Sequence, residues 1–127
     1  MIFHLKYGED IVEAILKKCR NKNIKSGFVF FMGAVQKAEL GYYNQKTKKY
    51  KRIIINEPME IVSGMGNFSL RDNKIFMHAH VGLSDKNGNM HGGHLFSATV
   101  FVCEVCILKE KGKFIRMFDK RTGLFLW

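Results

Sequence analysis

From Phe28 onward, apolar and polar residues alternate in short runs separated by turn-forming residues, the pattern of half-buried strands. The runs fall at residues 28–35, 36–44, 50–56, 59–70, 74–83, 94–108 and, after the turn "KEKGK", 114–119. Ahead of them, "IFHLKYG" alternates enough for a short first strand. The next segment, "EDIVEAILKKCRNKNIKSG", sets Ile11, Ile15 and Cys19, with Val12 and Leu16 beside them, on one stripe at helical spacing. Glu9 and Asp10 open this helix and Lys17, Lys18 and Arg20 close it, in the sense that complements the helix dipole. No other segment has this period. Strands in succession on short connections pair antiparallel, so the expected class is α/β of the α+β type. It is a largely antiparallel, curled sheet with one main helix, in a single domain over residues 1–127.

One run breaks the alternation. Between His94 and Leu108, Phe96, Ala98, Val100 and Val102 occupy one parity, and Leu95, Thr99, Phe101, Val105 and Ile107 the other. A one-layer sheet covered by a single helix leaves a polar face on its strands. Something must therefore cover the second face of this strand: the sheet curls on itself, or another subunit packs there. With so little helix, the pattern favours an oligomer.

The chain has 127 residues, 46% of them hydrophobic and 25% charged, with one proline, a globular composition. No run reaches the roughly 18 apolar residues of a membrane span, and "MIFHLKYGED" lacks the regions of a signal peptide, so a cytoplasmic protein is expected. Cys19, Cys103 and Cys106 are too few, and odd in number, for a disulfide framework. Cys103 and Cys106 make a C-x-x-C pair, but within a strand, where residues three apart face opposite ways; they read as core residues rather than a redox pair. Twenty-one Lys and Arg against eleven Asp and Glu give a net charge of +10. That surplus attracts polyanions, and nucleic acid, an acidic protein and anionic metabolites all qualify; a lysine-rich solvated surface is the plainer reading.

The candidate chemistry lies in "HAHVGLSDKNGNMHGGH", which holds four of the five histidines. His78 and His80, two apart on a strand, leave the same face. If Asn87-Gly88 is a two-residue turn, paired numbers sum to 175 and His91 is the third member of the cluster. If Lys86-Asn87-Gly88 is a three-residue loop closed by a left-handed glycine, the sum is 174 and His80 faces His94. Gly92-Gly93 is a place for a bulge or for close backbone approach. The set His78, His80 and His94 is preferred, as an open three-imidazole site for zinc or another divalent transition metal. Histidines that merely hydrogen-bond across a hairpin are the alternative. A metal-dependent cupin also uses H-x-H, but its downstream glutamate and its glycine-proline motif are missing.

"LKYGEDIVEAI", "GAVQKAELGYYNQKTKKY", "EPMEIVSGMGNFS", "HAHVGLSDKNGNMHGGHL" and "ATVFVCEVCIL", in this order over nearly the whole chain, resemble the plant- and prokaryote-conserved (PPC) domain. The resemblance implies a compact domain that assembles as a homotrimer, which would cover the doubly apolar strand. It also implies a metal on the histidines matching His78, His80 and His94. Prokaryotic members are described as predicted DNA-binding proteins. Plant members carry AT-hooks outside the domain, and this chain has no R-G-R-P core, helix-turn-helix or zinc-finger pattern. Binding to DNA would then rest on nonspecific phosphate contacts from Lys17, Lys18, Arg20, Lys46, Lys48, Lys49, Lys51 and Arg52.

Two functions are compatible with these features, with a purely structural assembly scaffold as a third option. One is a trimeric metal-binding module, DNA-associated or regulatory. The other is a metal-dependent enzyme of hydrolase or lyase type, acting on a small anionic molecule through metal-bound water. The enzyme needs a general acid or base. Glu104 is the candidate, but ten residues along the strand place it roughly 33 Å from His94, so it could serve only from a neighbouring subunit. An interface ion pair is the simpler role for Glu104. Asp85 reads as a turn former.

Overall fold

Asp10 decides where the helix begins. In the computed structural model, which describes Met1–Trp127, its backbone is extended and its Oδ1 accepts from the Glu13 N–H at 3.0 Å. Such a cap contributes about 1 kcal/mol. Helix α1 (Ile11–Asn21) follows strand β1 (Ile2–Leu5). It buries Ile11, Ile15 and Cys19, the predicted stripe, and carries Lys18 and Arg20 in its last turn. The second oxygen of Asp10, Oδ2, accepts from the Ala98 N–H at 3.0 Å. One carboxylate therefore caps the helix and fastens it to a strand.

The strands are β2 (Gly27–Asn44), β3 (Lys49–Ile55), β4 (Met59–Arg71), β5 (Lys74–Ser84) and β6 (Met90–Lys109). They pair antiparallel in the order β1-β6-β5-β4-β2-β3, and β6 pairs with β2 as well. That extra pairing closes β2, β4, β5 and β6 into a ring. The sheet is thus curled, as the sequence predicts. The predicted strands at 28–35 and 36–44 are one strand, because register shifts around Gly33 and Val35 bend it without ending it. β6 likewise begins at Met90 rather than at His94.

Inside the ring, one cluster of buried residues joins Val29, Phe31 and Leu40 of β2, Phe68 of β4, Leu83 of β5 and the buried side of α1. β6 contributes Leu95, Ala98, Val100, Cys103, Val105 and Ile107. These do not share one parity, because the register shifts against β2 twice reverse which side faces inward. The two-sided apolar pattern thereby separates into a core set and an outer set. Phe101, Val102 and Leu108 stay exposed on the outside, joined by Phe28, Phe30 and Met32 of β2, Met65 of β4 and Ile2 of β1. Cys103 is buried, Cys106 only partly so, and all three thiols are free.

The segment expected as a strand at 114–119 is strand only at β7 (Met117–Asp119), which pairs with β8 (Leu124–Leu126) in a separate small hairpin. Strand β8 was not expected, being too short to show a period. Its turn is held by Asp119, which accepts from the Thr122 hydroxyl at 2.7 Å. Tyr43 Oη donates to the Thr122 carbonyl at 2.7 Å and Lys48 Nζ to that of Lys120 at 2.8 Å, docking the hairpin on β2 and β3. No helix is long and apolar enough to cross a membrane.

Candidate metal centre

The loop between β5 and β6 selects one of the two registers that the sequence leaves open. The Gly88 N–H donates to the Asp85 carbonyl and the Asp85 N–H to that of Asn89, each at 3.0 Å. Gly88 has φ +82°, the left-handed region that favours glycine. Asp85 Oδ1 accepts from the Asn87 and Asn89 N–H groups at 2.8 and 2.9 Å, and Oδ2 from the Asn89 side chain. These bonds, the Asn89 side chain first, hold the Asp85 carboxyl below its usual range. This is the three-residue loop, and His80 stands opposite His94. His91 instead sits opposite Leu83, exposed, 3.9 Å from Asp85 and outside the cluster.

Met77, Ala79 and Val81 point into the core, so His78 and His80 project outward from β5. Nitrogen atoms of His78, His80 and His94 all lie within 4.8 Å of one another. The rings are edge-on or stacked, with centroids 5.0 to 5.8 Å apart. Gly93 lets β6 come close to β2 just before His94, since a Cβ there would lie 2.6 Å from the Gly41 carbonyl oxygen. The His94 ring is walled by Phe96 and Tyr50, at 4.7 and 5.1 Å.

The electrostatics favour the neutral form of His94 and His78. Burial, then the neighbouring His78 and His80, then Arg52 push His94 down to about 4. Burial, His80 and Arg116 lower His78 as well. Neutral imidazole is the form that binds a metal. His94 Nδ1 is buried with no hydrogen-bond partner, an arrangement that costs free energy unless something else occupies its lone pair. The donor set thus fits a zinc-like ion. No carboxylate joins the cluster.

The profile of the Plants and Prokaryotes Conserved (PCC) domain matches residues 1–111. The chain belongs to this family. Among solved structures, it resembles the metal-containing protein of Archaeoglobus fulgidus at 44% identity and TM-score 0.96, over 100% of this chain and 91% of that one. A PPC protein of Pyrococcus horikoshii matches at 33% identity and TM-score 0.95, over 100% of this chain and 89% of that one. A candidate DNA-binding protein of Bacteroides thetaiotaomicron matches at 28% identity and TM-score 0.94, over 98% and 88%. No curated protein matches the chain.

The eight basic residues expected to contact phosphate fall into two separate groups in this PCC domain. Lys17, Lys18 and Arg20 lie on α1, which packs on β5 and β6, whereas Lys46, Lys48, Lys49, Lys51 and Arg52 lie on the β2–β3 hairpin. Several are engaged. Arg20 is 3.8 Å from Glu13, Lys18 lies over the Phe3 ring, Lys48 donates to Lys120, and Arg52 pairs with Glu39 while stacking 4.0 Å from the Phe96 centroid. Lys17, Lys46, Lys49 and Lys51 make no ion pair. Glu104 is exposed on the outer face opposite Met32 and His4, far along β6 from the histidines.

Sequence reasoning missed Tyr50, Asn67, Arg71 and Arg116. Arg116 had a visible signal: it is a lone charge in the apolar run "FIRMF", and it is only 8% exposed. Its Nε donates to Ser69 Oγ at 2.6 Å, Nη1 to the Phe125 carbonyl at 2.9 Å and Nη2 to Asn67 Oδ1 at 2.8 Å. Asn67 pairs with His78 across β4 and β5, so this network runs directly behind the histidines.

Proposed function

We propose that the protein is a homotrimeric metal-binding module of the cytoplasm, in which His78, His80 and His94 hold zinc or another divalent transition ion. The observation that carries this reading is the convergence of three imidazoles, one with a buried nitrogen that lacks any protein partner. The three free thiols suit a reducing compartment. Three histidines leave a fourth coordination position for water or a ligand.

The trimer is supported by the outer apolar face. Phe30 pairs with Met65 on one side and Cys106 on the other, and Met65 in turn faces His80. The apolar strip therefore runs up to the histidines, and Phe28, Phe30 and Met65 share a cavity with His78 and His80. A neighbouring subunit on this strip would shield the metal from water. Glu104 and His4 lie within the same face and would pair there with neighbouring groups.

A DNA-associated regulatory role rests on the net charge of +10 and on the candidate DNA-binding relative. It would use phosphate contacts from the lysines of α1 and of the β2–β3 hairpin. The enzyme reading, a metal-dependent hydrolase or lyase for a small anion, ranks second, because neither cavity beside the histidines is lined by a carboxylate to move protons.

The test is the untagged protein's mass in solution together with metal per subunit by elemental analysis. A trimer with about one zinc per chain, lost in the His78→Ala/His80→Ala double variant, is expected. A trimer that stays metal-free after zinc is offered would remove the metal from the reading.

A further inference from the structure

Arg116 is only 8% exposed, yet it pairs with no carboxylate. Its partners, Ser69, Asn67 and the Phe125 carbonyl, are all neutral. A guanidinium has five N–H groups, so two are left over. Buried cations are ordinarily paired, because an isolated one keeps most of its desolvation cost. A second guanidinium adds to the imbalance: Arg71 stacks 3.6 Å from the centre of the Phe125 ring, and its only carboxylate neighbour, Asp72 at 3.7 Å, is itself well exposed. Its positive charge, after burial, helps to lower Arg116 below its ordinary range.

Both arginines line one cavity of about 320 Å³, bounded by α1 at Val12, by β5, β6 and the β7–β8 hairpin, and with His78 and His94 in its wall. No acid lines it, and its remaining walls are chiefly apolar, Phe76, Leu124 and Phe125 among them. At about 30 Å³ for each water-sized group, the space accommodates about ten non-hydrogen atoms. Pockets with apolar walls and a few convergent polar groups are where small molecules bind.

We infer that this cavity binds a small carboxylate with an apolar body, its carboxylate held by Arg71 and the free N–H groups of Arg116 and its body against Phe76 and Phe125. Planar guanidinium groups match a carboxylate in both charge and shape. Arg116 and the β7–β8 hairpin lie beyond residue 111, where the match to the family profile ends, so the cavity joins that profiled region to the C-terminal segment. The inference does not depend on the metal reading, since the arginines and the cavity are present without an ion.

Phenylacetate, with ten non-hydrogen atoms, is the probe, and 2-phenylethanol is its uncharged counterpart. Each is titrated by calorimetry into metal-free and zinc-loaded protein. Phenylacetate is expected to bind the metal-free protein at least about tenfold more tightly than 2-phenylethanol, the factor that one charge-assisted contact contributes. Arg71→Met is expected to weaken phenylacetate by at least about tenfold and to leave 2-phenylethanol unchanged, which separates loss of an anchor from loss of shape. Val12→Phe, which fills the cavity from the helix side, is expected to abolish both. No binding of phenylacetate to the metal-free protein, equal binding of the two probes, or undiminished binding in Arg71→Met would overturn the inference. The same protein's zinc content reports separately on the histidines.

Discussion

Protonation of His94 sets a pH limit on the metal-free fold. Its folded pKa is pushed down to about 4, while the exposed side chain titrates near 6.5. The folded state therefore binds fewer protons than the unfolded one between these values, and stability is full above about 6.5 and lost as pH falls toward 4. The shift corresponds to a loss on the order of 3 kcal/mol, and His78, lowered in the same direction, adds to it. Thermal unfolding of the metal-free protein should show a falling Tm across this window, with a flatter profile in His94→Gln. At this scale the sequence was informative about residue type and silent about surroundings. Paired facing follows from the strand period, so His78 and His80 were legible. The orphaned Nδ1 of His94 depends on its packed surroundings, and of the two rings that wall it Tyr50 is brought from β3, which no local pattern announces.

At the scale of elements, the turn between β5 and β6 carries the site, because a slip of one residue would send His94 to the opposite face. Gly88 is the residue that permits the three-residue loop, and nothing lies within 4 Å of where its Cβ would be. Gly88→Ala should therefore lose about 1 kcal/mol from backbone strain alone, seen as a lower Tm, while zinc content stays unchanged because the register persists. The sequence held both registers open, since the Asn-Gly pair serves either loop; the bonds to Asp85 decide between them, and a carboxylate's choice of partner is not written in spacing. Elsewhere the strand pattern was clear wherever one face was buried throughout, as in β5. It blurred in β2 and β6, whose bulges exchange inner and outer parity, and it failed for β8, which is three residues long. Helix α1, by contrast, was legible in its buried stripe and terminal charges, whereas Asp10, read only as one of two acids opening it, is its cap.

For the whole molecule, the outer apolar strip is the main determinant of behaviour in solution. Met32 is 57% exposed at its middle, opposite Glu104. Met32→Glu places two carboxylates side by side there, and the expected outcome is a monomer by light scattering that keeps the fold. A wild-type monomer would show instead that the strip is covered in another way. If the lysine hairpin contacts DNA, Lys49→Ala/Lys51→Ala should lower the slope of log affinity against log salt by about 2, with no change in sequence preference. The closed ring also has a consequence for biosynthesis. β6 is the last of its four strands to be made, and it supplies both the seam against β2 and the third histidine. A nascent chain ending before residue 90 presents unpaired edges on β2 and β5 and only two of the three imidazoles. The cell thus meets this protein first as an open, adhesive sheet, and the step that seals it is the step that completes the set of metal ligands.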